Sequence, residues 1–285
     1  MNLTQLRAFH AVAREGSFTK AAERLCITQP AVTASITALE ERHGVALFHR
    51  QGRSITLTEA GEKLAAVSQK LFTLEEEAAE VLAAEQGLQS GTLRICVGSP
   101  YSIAPVLARF REKFPGIDLR IIPGNYQVVR DLILSENADL AVQTEAEEHS
   151  LLGRQPLAQQ RLVAICHRDF PLPAGPVSLK NLSGFDLVAR ETGSGTRRLV
   201  RNLCEEHGAD LPIRITAESR EAVFEMVANG LGYGLVLDAE MPQDGRVRVV
   251  PVIEAEKPLT DYLLYLKRRE NLRLVRAFLA LAKEA

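Results

Sequence analysis

The 285-residue chain weighs 31.3 kDa and is 46% hydrophobic and 25% charged; that is more chain than one core usually organises, so two or more domains of a soluble globular protein are expected. Its 34 Lys and Arg against 36 Asp and Glu leave a formal charge of -2, which excludes a polyanion-coating protein and requires any nucleic-acid site to be local. The N-terminus lacks a basic segment followed by an apolar core, and no stretch approaches the roughly 18 uncharged apolar residues of a span, so a cytoplasmic protein without a membrane partner is expected.

Charge divides the chain into three parts: residues 1–60 carry seven Lys/Arg and five acids, residues 61–90 two and six, and the remaining 195 residues 25 of each. Cys26, Cys96, Cys166 and Cys204 lie far apart, with no zinc-ligand or redox spacing, and read as buried small hydrophobes. No metal site is expected.

In the basic head, Leu3, Leu6, Phe9, His10, Val12 and Ala13 recur at helical spacing until Gly16. Ser17 is a good N-cap for a short second helix whose face is Ala21, Ala22 and Leu25. Thr28 is the next cap. Pro30 falls in a first turn where its missing N–H costs nothing, and Val32, Ile36 and Leu39 mark the buried stripe of a third helix ending near Gly44. The opposite face shows Gln29, Thr33, Ala34 and Thr37, short or amide-bearing and none acidic, which suits a reader of base edges in the major groove. Leu47–Arg50 and Ser54–Leu57 then predict a hairpin, a wing whose Arg50 and Arg53 suit phosphate or minor-groove contact.

The run Gln5-Leu6-x-x-Phe9, Gly16-Ser17-Phe18-x-x-Ala21-Ala22-x-x-Leu25-x-x-x-Gln29-Pro30-Ala31-Val32-x-x-x-Ile36-x-x-Leu39-Glu40, Leu47-Phe48-x-Arg50 and Leu57-Thr58-x-x-Gly61 resembles the winged helix-turn-helix of LysR-type transcriptional regulators. The resemblance implies that Gln29, Pro30, Thr33 and Ala34 face the groove and that Arg53 touches DNA. With Ser17 and Thr28 at helix starts, Thr37, and Arg50, these make the expected DNA-binding set. Ala34 departs from the longer polar or basic side chain of many members, so readout leans on Gln29, Thr33 and DNA shape.

Leu57, Leu64, Leu71, Ala78, Glu85 and Ala60, Val67, Leu74, Val81, Leu88 form two seven-residue series, with Glu75-Glu76-Glu77 outside the seam. A coiled-coil dimerisation helix over 58–90 is expected. A homodimer so joined implies double-stranded DNA with dyad-related half-sites as partner. Gly87 and Ser90-Gly91 suggest a hinge.

From residue 91 strand-like runs alternate with helical ones: Thr92–Val97 then Ile103–Phe114; Asp118–Ile122 then Gln127–Glu136; Asp139–Gln143; Leu162–Cys166; Phe185–Ala189 then Gly195–His207; Ile213–Ala217 then Ala222–Asn229; Gly234–Leu237. Val247–Val252 and Tyr262–Lys267 add strands and Leu272–Ala282 a closing helix. The alternation predicts two parallel α/β sheets, with a ligand beyond the strand ends. There stand Ser99, Tyr101 and Ser102; Asn125; Gln143 and Thr144; and Ser194, Gly195 and Thr196 opening a helix, with Arg190 close by. N-capping accounts for each serine taken singly; hydroxyls and N–H groups at two helix starts together suit a small carboxylate, phosphate or phosphonate.

This body resembles the LysR effector domain, which has the two-lobed fold of periplasmic solute-binding proteins, through Gly91-Thr92-Leu93-Arg94-Ile95, Phe110-x-x-x-Phe114-Pro115, Asp139-Leu140-Ala141, Gly193-Ser194-Gly195-Thr196-Arg197 and Val227-x-x-Gly230-x-Gly232-x-Gly234. The expected fold class is therefore α/β with an all-α winged head: a winged helix-turn-helix at 1–60, a linker helix at 58–90 and an effector domain at 91–285. Lobe one is expected at 91–163 plus 267–285 and lobe two at 164–266. The Ser99-Pro100-Tyr101 loop and Gly124-Asn125 are similar to the branch associated with aminoethylphosphonate catabolism, and the family commonly pairs dimers into a homotetramer.

No enzyme can be assembled from these parts. Thr192 occupies the first glycine position of a nucleophile elbow at Gly193-Ser194-Gly195, Gly230–Gly234 lacks dinucleotide-loop spacing, and the six histidines form no metal pair. No catalytic residue and no cofactor is expected. A periplasmic solute-binding protein would need a leader and would have no use for the head.

Overall fold

The computed structural model describes residues 1–51, 54–82, 90–241 and 244–284. They fall into two compact units, Met1–Gly87 and Leu88–Ala285. In the first, α1 (Leu3–Glu15), α2 (Phe18–Leu25) and α3 (Gln29–His43) precede a hairpin, β1 (Phe48–Gln51) and β2 (Ser54–Leu57), and a long helix, α4 (Glu59–Leu82). Asn2 and Gln5 form a capping box on α1. Gly16 and Gly44, at φ 61° and 63°, end α1 and α3 in the left-handed region, which Gly enters without a Cβ penalty. Ser17 caps α2 by accepting from the Lys20 N–H.

Thr28 holds the N-cap position of α3, but its side chain makes no cap hydrogen bond. Pro30 has no N–H to offer, and the Ala31 N–H already donates to the Thr28 carbonyl at 3.0 Å. The core joins Leu6, Phe9, Val12, Ala21, Val32, Ile36, Leu39 and Phe48, with the Phe9 and Phe48 rings 5.3 Å apart. Glu40 accepts from the Leu47 N–H at 2.7 Å, tying α3 to the hairpin. Thr58 Oγ1 donates to the Ala46 carbonyl and accepts from the Gly61 N–H, drawing the start of α4 so close to that backbone that a Cβ on Gly61 would lie 2.1 Å from the Leu47 carbonyl oxygen.

The seven-residue series on α4 divides between two environments. Leu57, Ala60 and Leu64 pack into the head core beside Phe72, whereas Val67, Leu71 and Leu74 are exposed. The expectation of one continuous interhelical seam is thus corrected: its N-terminal end is internal packing, and beyond it α4 stays on α1 as far as Glu75 through buried Ser68, Phe72 and Thr73 and the Arg7–Glu75 ion pair, leaving Val67, Leu71 and Leu74 on its outer face. Glu85, Gly87 and Leu88 lie outside the described residues. Cys26, expected buried, is exposed at the left-handed end of α2.

In the second unit, β3 (Gly91–Val97), α5 (Ala104–Lys113), β4 (Ile117–Pro123), α6 (Tyr126–Leu134), β5 (Leu140–Thr144) and β6 (Leu152–Gln160) lead to β7 (Leu162–His167), α7 (Leu179–Leu182), β8 (Leu187–Arg190), α8 (Gly195–His207), β9 (Ile213–Ala217), α9 (Arg220–Ala228), β10 (Tyr233–Leu237) and β11 (Val247–Pro251). β12 (Leu259–Leu266) and α10 (Arg273–Lys283) close the chain. Two five-stranded sheets result, ordered β4-β3-β5-β12-β6 and β11-β7-β10-β8-β9.

Both sheets are mixed rather than parallel. β3 runs parallel to β4 and β5, and β8 to β9 and β10, while β12 lies antiparallel to β5 and β6, and β7 antiparallel to β10 and β11. The lobe boundaries move accordingly. Leu162 and Val163 belong to the second sheet, and β12, expected in lobe two, belongs to the first, where Leu263 and Leu264 pack into the cores on opposite faces. A strand pattern shows that a strand exists, not which sheet takes it. β6 escapes the sequence reading because Arg154, Gln155, Pro156, Gln159 and Gln160 break its apolar pattern; as an edge strand it tolerates the proline.

Each sheet is covered on both faces, which is why its central strands are nearly all apolar. Leu93, Ile95 and Val97 face Phe110 and Phe278, whereas Cys96 faces Val129 and Ile133. In the second sheet Ala164 and Cys166 face Val200, and Ile165 faces Val223 and Val227. Asp139 accepts from Arg94 Nη2 at 2.6 Å and from the Arg94 N–H at 2.9 Å, locking β5 to β3.

Candidate functional site

The strand ends of the two sheets in the second unit converge on one cavity. Gly98 and Ser99 follow β3, Gly124 and Asn125 follow β4, and Gln143 and Thr144 end β5; from the other sheet come Arg190 at the end of β8, Ser194, Gly195 and Thr196 opening α8, Arg220 opening α9, and Glu240 after β10. Asp261 reaches it from β12. The cavity measures about 60 Å³; a water needs roughly 10–15 Å³ on that measure, so the space suits a molecule of a handful of heavy atoms.

The starts of α6 and α8 meet here. The Tyr126 N–H donates to the Gly193 carbonyl at 3.2 Å. A Cβ on Gly193 would lie 2.6 Å from Asn125 Nδ2, so the glycine permits this approach. Asn125 Oδ1 caps α6 by accepting from the Val128 N–H at 3.1 Å. Ser194 Oγ, in a residue only 3% exposed, caps α8 through a long 3.5 Å bond from the Arg197 N–H. The N–H groups of Gly195 and Thr196 belong to the first turn, where an α-helix supplies no internal acceptor. Together they form a pole of donors with the positive end of the α8 dipole behind it.

Of the residues expected at a ligand site, Ser99, Asn125, Gln143, Thr144, Ser194, Gly195 and Thr196 line this cavity, and Tyr101 and Ser102 do not. The chain turns through residues 101–103 before α5 starts at Ala104, so Ser102 is not at a helix cap and Tyr101 points into solvent, 45% exposed. Gln143 and Thr144 have their donors engaged: Gln143 Nε2 donates to the Tyr126 carbonyl at 2.9 Å and Thr144 Oγ1 to Asp261 Oδ1 at 2.6 Å. They brace the walls.

The structure adds Arg220, Glu240 and Asp261, which the sequence reading lacks. Ser219-Arg220 follows a strand and opens a helix as Ser194-Gly195 does, and that signal was available; nothing local marks Glu240 or Asp261. Arg190 Nε donates to Glu191 Oε2 at 2.9 Å, and Arg220 Nε lies 3.4 Å from Glu240 Oε1 while its Nη2 donates to the Gly98 carbonyl. Burial pushes the Glu240 carboxyl above its ordinary pKa, and the neighbouring Arg220 and Arg190 charges only partly offset it.

In the first unit, Gln29, Pro30 and Ala34 are exposed on one side of α3, with Thr33 and Thr37 partly so. Thr33 Oγ1 donates back to the Gln29 carbonyl at 3.1 Å, which leaves its methyl and an acceptor lone pair outward. Ser17 Oγ is engaged in its cap, while the Thr28 side chain is exposed and has no cap role. The Arg50 side chain and all of Arg53 lie outside the described residues.

The family model described as bacterial regulatory helix-turn-helix protein, lysR family, matches residues 3–62, and that of the LysR substrate binding domain matches residues 86–285. The HTH-type transcriptional activator CmpR of Synechocystis sp. is 31% identical over 283 residues, covering 97% of this chain and 93% of that protein. Among solved structures, a full-length OxyR variant from Pseudomonas aeruginosa superposes with a TM-score of 0.80 at 21% identity over 99% of this chain and 95% of that one, a likeness of fold. The CcmR regulatory domain of Synechocystis in complex with 2-PG matches with a TM-score of 0.63 at 26% identity, covering 68% of this chain and 97% of that one.

Proposed function

The chain belongs to the LysR family of DNA-binding transcriptional regulators, with a helix-turn-helix and an effector-binding domain, and from that premise we propose that a small anion bound between the two sheets of its second unit controls how the head engages a DNA operator with dyad-related half-sites. The observation that carries the effector reading is the meeting of the α6 and α8 starts around one small cavity, with Ser194, Gly195 and Thr196 presenting donors to it. A similar regulatory domain, that of Synechocystis CcmR, is in complex with 2-PG, which supports a bound effector in this unit. A phosphonate or carboxylate metabolite fits this pole, because dipole and N–H donors both favour negative charge.

On the DNA side, α3 offers Gln29, Thr33 and Ala34 to base edges, Thr28 and Thr37 flank them, and Arg50 and Arg53 of the wing meet phosphate. The exposed Val67, Leu71 and Leu74 of α4 pair with a second copy to form the homodimer, and dimers pair into tetramers. The protein works in the cytoplasm, with residues 1–60 binding DNA, residues 58–90 linking, and the remainder sensing.

A ligand acts only through unequal affinity for two arrangements of the lobes. The test is a thermal-shift series on the full chain with phosphonates, carboxylates and their neutral esters, followed by operator binding across a salt titration. The anions are expected to raise the melting temperature and the esters not to, and DNA affinity is expected to fall steeply with salt. Equal shifts from esters and anions refute the anion pole, and salt-independent DNA affinity refutes the role of the head.

A further inference from the structure

The cavity that carries the donor pole also carries groups of the opposite character. Glu240 is 8% exposed and Asp261 1%, and both line it. Asp261 is held by two neutral donors, Thr144 Oγ1 and Gln160 Nε2, and among the described residues no cation forms an ion pair with it. The cation nearest Glu240 is Arg220, at 3.4 Å, whose guanidinium is shared with the Gly98 carbonyl, while Arg190 acts on it from farther off and is itself paired with Glu191. Ser99 Oγ, in a residue 7% exposed, lies close enough to Glu240 to favour its charged form but makes no well-aligned hydrogen bond. Two buried carboxylates with so little positive charge opposite them are costly unless something completes them.

We propose, building on the anion-pole reading, that the effector is a zwitterion: a small acid whose protonated amine is taken by Glu240, Asp261 and the Ser99 hydroxyl while its acid group sits at the starts of α6 and α8. The two poles select by charge separation. A dianion would bring its second charge against Glu240 and Asp261, and a plain monoanion would leave them unfilled. An ammonium carries three donors and no acceptor, and Glu240, Asp261 and Ser99 supply acceptors for them. Arg220, engaged with Glu240 and the Gly98 carbonyl, holds the acidic end in place, and Arg190 is engaged with Glu191, so neither clamps the acid group.

The experiment is isothermal titration of the full-length protein with matched pairs: 2-aminoethylphosphonate against ethylphosphonate, and β-alanine against propionate, with glycine and 4-aminobutyrate to vary the separation of the charges. At least one amino acid of the series is expected to bind at least about tenfold more tightly than its amine-free partner. Glu240→Gln, which keeps the side chain's shape, is expected to weaken that amino acid by about tenfold while leaving ethylphosphonate and propionate unchanged or tighter. The wild-type comparison does not depend on how any variant folds. Amine-free acids binding as tightly as their amino partners overturn the zwitterion and leave the anion pole standing. Failure of every acid, with or without an amine, overturns both.

Discussion

Ser194→Ala separates two roles that one hydroxyl combines. As an N-cap, Ser194 Oγ accepts from the Arg197 N–H at 3.5 Å, a long bond, so its loss belongs at the lower end of cap deletions, about 1 kcal/mol or less. For a unit of this size that lowers the melting temperature by only about 2–4 °C. As a ligand donor, the same Oγ–H meets a charged acceptor in a residue 3% exposed, where a hydrogen bond contributes about 1.5–3 kcal/mol. The second effect predicts an affinity loss of about 10- to 150-fold. Titration calorimetry with the tightest probe acid reads the second quantity and thermal denaturation without ligand reads the first. Ser194→Asp sharpens the contrast, since aspartate caps a helix as well as serine does but places a carboxylate against the incoming anion: near-normal stability with binding abolished is expected. A variant Ser194→Ala that loses the expected stability and keeps full affinity would refute the donor role and leave Ser194 an ordinary cap.

Replacing Leu71 with Asp puts a charge in the exposed stripe of α4 between Val67 and Leu74, and sedimentation at micromolar concentration is expected to show separated subunits; an unchanged assembly would mean the stripe is not the interface. Glu240→Gln is expected to gain stability over the native chain as pH rises. Because burial raises the folded-state pKa of Glu240, both forms are protonated in acid and no difference exists there, while above the unfolded carboxylate range the native chain carries a growing ionisation penalty that glutamine lacks; denaturant melts between pH 4 and 8 that show no widening gap refute this. Gly61→Ala is expected to cost about 1–3 kcal/mol in the head, since its Cβ would lie 2.1 Å from the Leu47 carbonyl oxygen, and hydrogen exchange in α1 and α3 reads the loss.

The first sixty residues were legible because their information is local. Helix periodicity, the Ser17 cap, the Pro30 start and the Gly16 and Gly44 stops each depend on residues within one or two turns, and the structure puts α1, α2, α3 and the hairpin where those signals place them. The start of α8 was legible for the same reason: Ser194-Gly195-Thr196 after an apolar strand is a capping pattern before it is a site. Ser102, which carried a similar pattern, shows the limit, since it lies within the turn of residues 101–103 and Ile103 takes the N-cap position of the helix instead, which nothing in the residues themselves announces. The same holds for α4, whose seven-residue period is real but does not say that Leu57 and Leu64 pack inward while Leu71 and Leu74 face solvent. What only tertiary structure decided is partnership across distance. β12 joins the first sheet by hydrogen bonds to β5 and β6, about a hundred residues or more earlier, and that pairing carries Asp261 into the cavity. Arg220 and Glu240 arrive from separate elements of the second sheet, and their charges matter only because burial strips away the water that would otherwise screen them. Composition and period record what a segment prefers to bury; which groups then face one another across a cavity depends on the order in which strands pair, a long-range choice that no short stretch of this chain encodes.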